Sequence, residues 1–103
     1  MIRVSVLYPH KEGARFDHDY YANKHMALVK GLLGGKGLVE TGIDKGIGTA
    51  VPDAPAPYVS IGWMTFNSLG EFQSAFGAHA DEIMSDIPNY TDIEPQIQIS
   101  EIV

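Results

Sequence analysis

Apolar residues recur along this chain at two periods, and the switches between them mark six elements. Ile2, Val4, Val6 and Tyr8 alternate with Arg3, Ser5 and Leu7, the period of a strand, and Pro9 closes it. A polar connection over residues 10–16 leads to a longer period. Tyr21, His25, Leu28, Val29 and Leu32 fall on one face of a helix over residues 17–35, leaving Lys24 and Lys30 to solvent. Asp17 suits the N-cap, Asp19 complements the positive helix end, and Gly34 and Gly35 stop the helix. Residues 36–43 read as a second strand, with Val39, Thr41 and Ile43 on one face and Leu38 and Glu40 on the other. Gly42, Gly46 and Gly48 loosen the chain before the proline-rich loop over 52–57. The third strand spans 58–66, with Val59, Ile61 and Trp63 on one face and Tyr58, Met64 and Phe66 on the other. Ser68 and Glu71 form a capping box for a second helix, whose inner face carries Leu69, Phe72, Phe76, His79 and Ile83. Gly77 is expected to weaken the middle of that helix. Residues 86–95 read as irregular, with Tyr90 and Ile93 as anchors, and a fourth strand over 96–103 places Ile97 and Ile99 together.

Strand, helix, strand, strand, helix, strand is the ferredoxin-like βαββαβ order of an α+β fold: a four-stranded antiparallel sheet with both helices on one face. The third strand is apolar on both faces, so the open sheet face is expected to be an interface, most economically of a two-fold homodimer. At 103 residues the chain makes one domain, 1–103. A net charge of -6, with seven basic residues thinly spread, argues against nucleic-acid binding. The absence of cysteine excludes disulfides and thiolate chemistry. No stretch approaches the ~20 apolar residues of a membrane helix, and the first residues lack a signal-peptide layout, so a soluble cytoplasmic protein is expected.

Familiar chemical signatures are missing. Gly34-Gly35-Lys36-Gly37 follows a helix where a phosphate loop must lead into one, and Gly46-Ile47-Gly48 lacks the rest of a dinucleotide fingerprint. No Gly-x-Ser-x-Gly elbow occurs. The four histidines, His10, His18, His25 and His79, supply no i, i+4 pair, so no metal site is expected. His25 is the main candidate, because an imidazole inside an apolar stripe is kept neutral by burial and can accept a proton. Tyr21 lies one turn before it and can share a hydrogen bond with it or with a ligand. His79 and Phe76 come from the second helix, which is expected to pack on the same sheet face. Tyr8, Trp63, Phe66 and Tyr90 can supply aromatic walls, and His18 can stand at the mouth beside the helix start. Such a pocket suits a small apolar or aromatic metabolite. The alternative reading of His25, a core histidine satisfied by a carbonyl or a tyrosine hydroxyl, stays open at this point.

Phe16-Asp17-x-x-Tyr20-Tyr21-x-x-x-His25-Met26-x-Leu28-Val29, following a strand that ends Tyr8-Pro9, resembles the EthD family, named for ether degradation. Phe66-x-Ser68-x-x-Glu71-Phe72 and Asp86-Ile87-Pro88-Asn89-Tyr90 are similar to that family too, so the likeness spans nearly the whole chain. The resemblance implies a dimeric α+β barrel with a cavity between sheet and helices in each subunit. It places the family histidine at His25 and its tyrosine at Tyr21. Three functions compete under it. One is a cofactor-free lyase or isomerase that moves a proton with His25 on a small aromatic, polyketide-like or lactone substrate, with Tyr21 and His79 orienting it. The second is a non-catalytic binding module serving an ether- or aromatic-degrading oxygenase. The third is an oxidoreductase, either a cofactor-free monooxygenase or a haem protein. No nicotinamide or flavin motif accompanies the resemblance, and no cofactor is expected.

Overall fold

The computed structural model describes residues 1–103. Strand β1 covers Ile2–Pro9, and helix α1 runs over residues 18–33. Strands β2 (Leu38–Lys45) and β3 (Tyr58–Phe66) follow, then helix α2 (Leu69–Asp86), a single 3-10 turn (Ile87–Asn89) and strand β4 (Gln96–Glu101). The sheet order is β2-β3-β1-β4, antiparallel throughout. This is the expected ferredoxin-like plan.

Register decides which side chains meet the helices. Val4 lies opposite Met64, Val6 opposite Gly62 and Tyr8 opposite Ser60, so these residues share one sheet face. Val4, Met64 and Phe66 of that face pack with Val29 and Leu33 of α1 and Phe72, Ala75 and Ile83 of α2 as the main core. A second cluster, Tyr8, Tyr21, Met26, Tyr90 and Ile93, gathers at the other end. Both helices begin as the caps predict. The Asp17 carboxylate accepts from the Tyr20 amide at 3.0 Å, and the Ser68 hydroxyl accepts from the Glu71 amide at 3.2 Å.

Three details depart from expectation. A bulge between Leu38 and Glu40 shifts the register of β2, so Leu38 opposes Phe66 while Val39 is left out and half exposed. The period-two pattern had placed Val39 with Thr41 and Ile43, and one extra residue reverses that. Helix α2 runs unbroken through Gly77, which is exposed and follows ordinary helical backbone. Strand β4 ends at Glu101 instead of continuing to Val103.

On the open sheet face, Ile61 and Leu7 lie opposite one another, and Trp63 pairs with Gly42. A methyl group on Gly42 would fall 2.3 Å from the indole, so the ring lies across bare backbone. The Arg3 guanidinium caps the same ring at 5.2 Å. Glu40, Asp44, Gln96 and Gln98 border this apolar centre on the flanking strands. No helix is long and apolar enough to cross a membrane.

Candidate active site

The site begins with an irregularity in α1. After its first turn the helix widens to π geometry over Tyr21–His25, and the Met26 amide reaches back five residues to the Tyr21 carbonyl. The wider turn accommodates one extra residue, which rotates the buried stripe. Met26, Val29 and Leu33 are buried after it, while Leu28 and Leu32 are only partly covered. Tyr21 and His25 bracket the wide turn and are both enclosed, at 2% and 5% exposure.

His25 is held from behind. Its Nδ1 lies 2.9 Å from Asp86 Oδ2, at the last residue of α2. The other carboxylate oxygen accepts from the Tyr20 hydroxyl at 2.7 Å and from the Asn89 amide at 3.0 Å. Burial works to raise the Asp86 pKa, but these hydrogen bonds and the facing imidazole outweigh it and hold the carboxyl below its usual range. An ionised Asp86 accepts the Nδ1 proton, so the neutral ring carries its lone pair on Nε2. Burial pushes the His25 pKa below its ordinary value, and the hydrogen bond and charge of Asp86 only partly restore it. The imidazole is therefore a neutral base near pH 7. Nε2 makes no hydrogen bond within the chain, and the one hydrogen bond of the ring runs through Nδ1.

That free edge meets a cavity of about 170 Å³ between the sheet and the helices. An engineered cavity of roughly 150 Å³ holds a benzene ring, so this volume suits one ring with small substituents. Val4, Val6, Met26, Val29, Phe76 and Ile83 make its walls largely apolar, and neither lysine nor arginine lines it. Two phenols join His25 in the lining. Tyr21 crosses to β3, where a methyl group on Gly62 would fall 1.9 Å from its hydroxyl, so the glycine makes room for it. Tyr8 adjoins Tyr21 at 5.6 Å between ring centres and shares a 2.6 Å hydroxyl contact with Tyr90. Burial raises the pKa of all three phenols, which keeps them protonated.

A model of the EthD domain matches residues 11–94. The chain belongs to the EthD family. Among solved structures it is similar to an EthD-like protein from Ralstonia eutropha JMP134. The two are 43% identical, with a TM-score of 0.94 over 99% of this chain and 91% of that one. An EthD family protein from Bacillus halodurans C-125 is 18% identical, with a TM-score of 0.69 over 100% of this chain and 99% of that one. A protein from Shewanella loihica PV-4, named a candidate monooxygenase, is 11% identical, with a TM-score of 0.63 over 99% and 93%. The last two likenesses show the fold. No functionally described protein matches the chain closely enough to lend this EthD domain an activity.

Of the residues singled out in the EthD sequence, the fold brings His25, Tyr21, Tyr8 and Phe76 together around the cavity. Trp63 borders it from its strand while its indole covers Gly42 on the other face. Tyr90 stands behind the lining, fully enclosed and stacked on Tyr21 at 4.8 Å. Phe66 does not reach the site, because it is sealed in the main core against Phe72. His18 packs on Phe16 at 4.4 Å, with Nε2 buried and unpaired, away from the cavity. Burial and the nearby Lys45 hold its pKa below the usual value. His79 is not a partner of His25. The turn between α1 and β2 lies against it, so its ring bridges Lys36 at 3.1 Å and Glu82 at 3.1 Å near the surface. Nowhere do three or more metal-ligating side chains converge.

Asp86, Tyr20 and Asn89 were missed as site residues. One local signal existed for Asp86. A carboxylate in the last turn of a helix opposes the dipole, so it needs partners elsewhere. Asn89 is brought alongside by the 3-10 turn that follows. Arg15 fixes that turn by donating to the Pro88 carbonyl at 2.8 Å, while its own amide donates to Asp92.

Proposed function

We propose that this EthD domain is a cofactor-free proton-transfer enzyme in which His25 Nε2 removes a proton from carbon in a small uncharged ring compound. The supporting observation is the arrangement of His25 itself. It is buried, neutral, fixed in one tautomer by Asp86, and has its free nitrogen toward an apolar cavity. Enolisation, dehydration and isomerisation all begin with that step. The electron pair of the C–H bond moves into the adjacent unsaturated system, and the proton passes to Nε2. Asp86 then stabilises the imidazolium through the Nδ1 hydrogen bond. Anionic ligands are disfavoured, because the lining has no cation and Asp86 stands behind the base.

The domain works as a homodimer in this reading, joined through the open sheet face. Leu7, Ile61 and Trp63 would form its apolar centre, with Glu40, Asp44, Gln96 and Gln98 as a polar rim, the usual anatomy of such contacts.

Acetophenone tests the chemistry, being one uncharged ring bearing exchangeable hydrogens. In D2O the protein is expected to speed loss of its methyl proton signal. His25→Ala is expected to slow that exchange by about 10²-fold or more while circular dichroism stays unchanged. Equal exchange by both proteins, or none by either, contradicts the proposal.

A further inference from the structure

The Tyr8–Tyr90 contact carries information about proton direction. Two hydroxyls 2.6 Å apart hold two protons and share one hydrogen bond, so one proton is left over. Tyr90 is fully enclosed, does not line the cavity, and its hydroxyl has no other partner. Were Tyr8 the donor, the Tyr90 proton would be stranded in the core, at a cost comparable to a lost hydrogen bond. With Tyr90 donating, the oxygen of Tyr8 is satisfied and its own proton is free on the cavity side, where Tyr8 forms part of the lining. The neighbouring Tyr21 hydroxyl has only the Tyr8 hydroxyl as a polar neighbour, and it is fixed against Gly62 in a residue only 2% exposed.

From this we infer that Tyr21 and Tyr8, the latter backed by Tyr90, form a two-donor site for a ligand oxygen, and that the ligand class is an uncharged cyclic or aryl ketone or its enol. The two phenols supply donors and His25 Nε2 supplies the acceptor, so the cavity matches a molecule with an oxygen at one edge and an acidic hydrogen at another. Raised phenol pKa values keep both donors protonated as negative charge builds on that oxygen. The inference rests on the cavity being the ligand site, as proposed above, but not on His25 acting as a base.

Acetophenone is again the probe, with two readouts. Affinity is followed by the fluorescence of Trp63, the single tryptophan, and donor contact by the infrared carbonyl stretch of the bound ketone. The stretch is expected to fall below its value in hydrocarbon. Tyr21→Phe is expected to weaken binding roughly three- to ten-fold and to recover part of the shift. Tyr8→Phe alone orphans Tyr90 and risks the fold, so the Tyr8→Phe/Tyr90→Phe double variant is used, since removing both partners costs little. It is expected to behave as Tyr21→Phe does. Tyr90→Phe alone is expected to leave affinity within about two-fold, because Tyr8 keeps its free proton. Tighter binding by Tyr90→Phe would show the opposite bond direction and overturn the inference. So would a hydrocarbon-like stretch in the unmodified protein, an unchanged stretch in both donor variants, or no saturable binding. His25→Ala is expected to leave the stretch unchanged. If it keeps both the stretch and full exchange activity, the base reading fails while the oxygen site stands.

Discussion

Asp86 stands where a helix end is least hospitable to a carboxylate, and what it gains there is His25. Its expected kinetic signature has a definite sign. The exchange rate should rise with pH as His25 loses its proton, with a midpoint below the ordinary histidine value near 6.5, because burial lowers that pKa. Asp86 acts to raise it, so Asp86→Asn is expected to move the midpoint lower still while reducing the plateau. A midpoint that rises in the variant would contradict the pairing. Stability should follow the same direction. Both folded-state pKa values lie below their unfolded values, so the contribution of His25 is complete above about 6.5 and that of Asp86 above about 3.8. Each is lost as pH falls toward its folded pKa. Thermal unfolding of the protein and Asp86→Asn between pH 7 and pH 4 checks this, with a steeper loss expected for the variant, whose His25 pKa falls further below its unfolded value. The pair joins residues 61 positions apart, which explains why no local pattern displayed it. His25 and Tyr21 were legible because one helical stripe contains both.

Elements were legible where one rule governed them. The bounds of β3 match the span that carries apolar residues on both faces, and both N-caps are occupied by the residues that the sequence nominates. Errors arose where one residue was inserted. The bulge in β2 and the wide turn in α1 each shift a stripe without interrupting hydrophobicity. His79 misled for another reason. Its spacing fits the inner face of α2, but the turn after α1, and not the sheet, lies against it. Two glycine substitutions should have opposite effects. Gly77→Ala meets nothing within 4 Å and removes backbone freedom in mid-helix, so it is expected to stabilise by about 0.5–1 kcal/mol. Gly62→Ala must displace the Tyr21 hydroxyl, and is expected to destabilise by about 1–3 kcal/mol. Urea unfolding of both variants decides it, and a stabilising Gly62→Ala would contradict the placement of Tyr21.

For the whole molecule, one helix-covered face builds the cavity and the other remains available. Sedimentation equilibrium is expected to give twice the chain mass, and Trp63→Glu to give the chain mass with the fold intact. A monomeric unmodified protein would remove the homodimer from the proposal. The claim on which the rest depends is that His25 is a neutral base with Nε2 free toward the cavity. Two-dimensional proton–nitrogen NMR of the histidine rings, followed across pH with and without acetophenone, tests it most directly. The expected result is a His25 ring protonated at Nδ1 alone near pH 7, titrating below 6.5, whose Nε2 resonance moves when the ketone binds. A ring protonated at Nε2, titrating above 6.5, or indifferent to the ketone would contradict the assignment of His25 as the base.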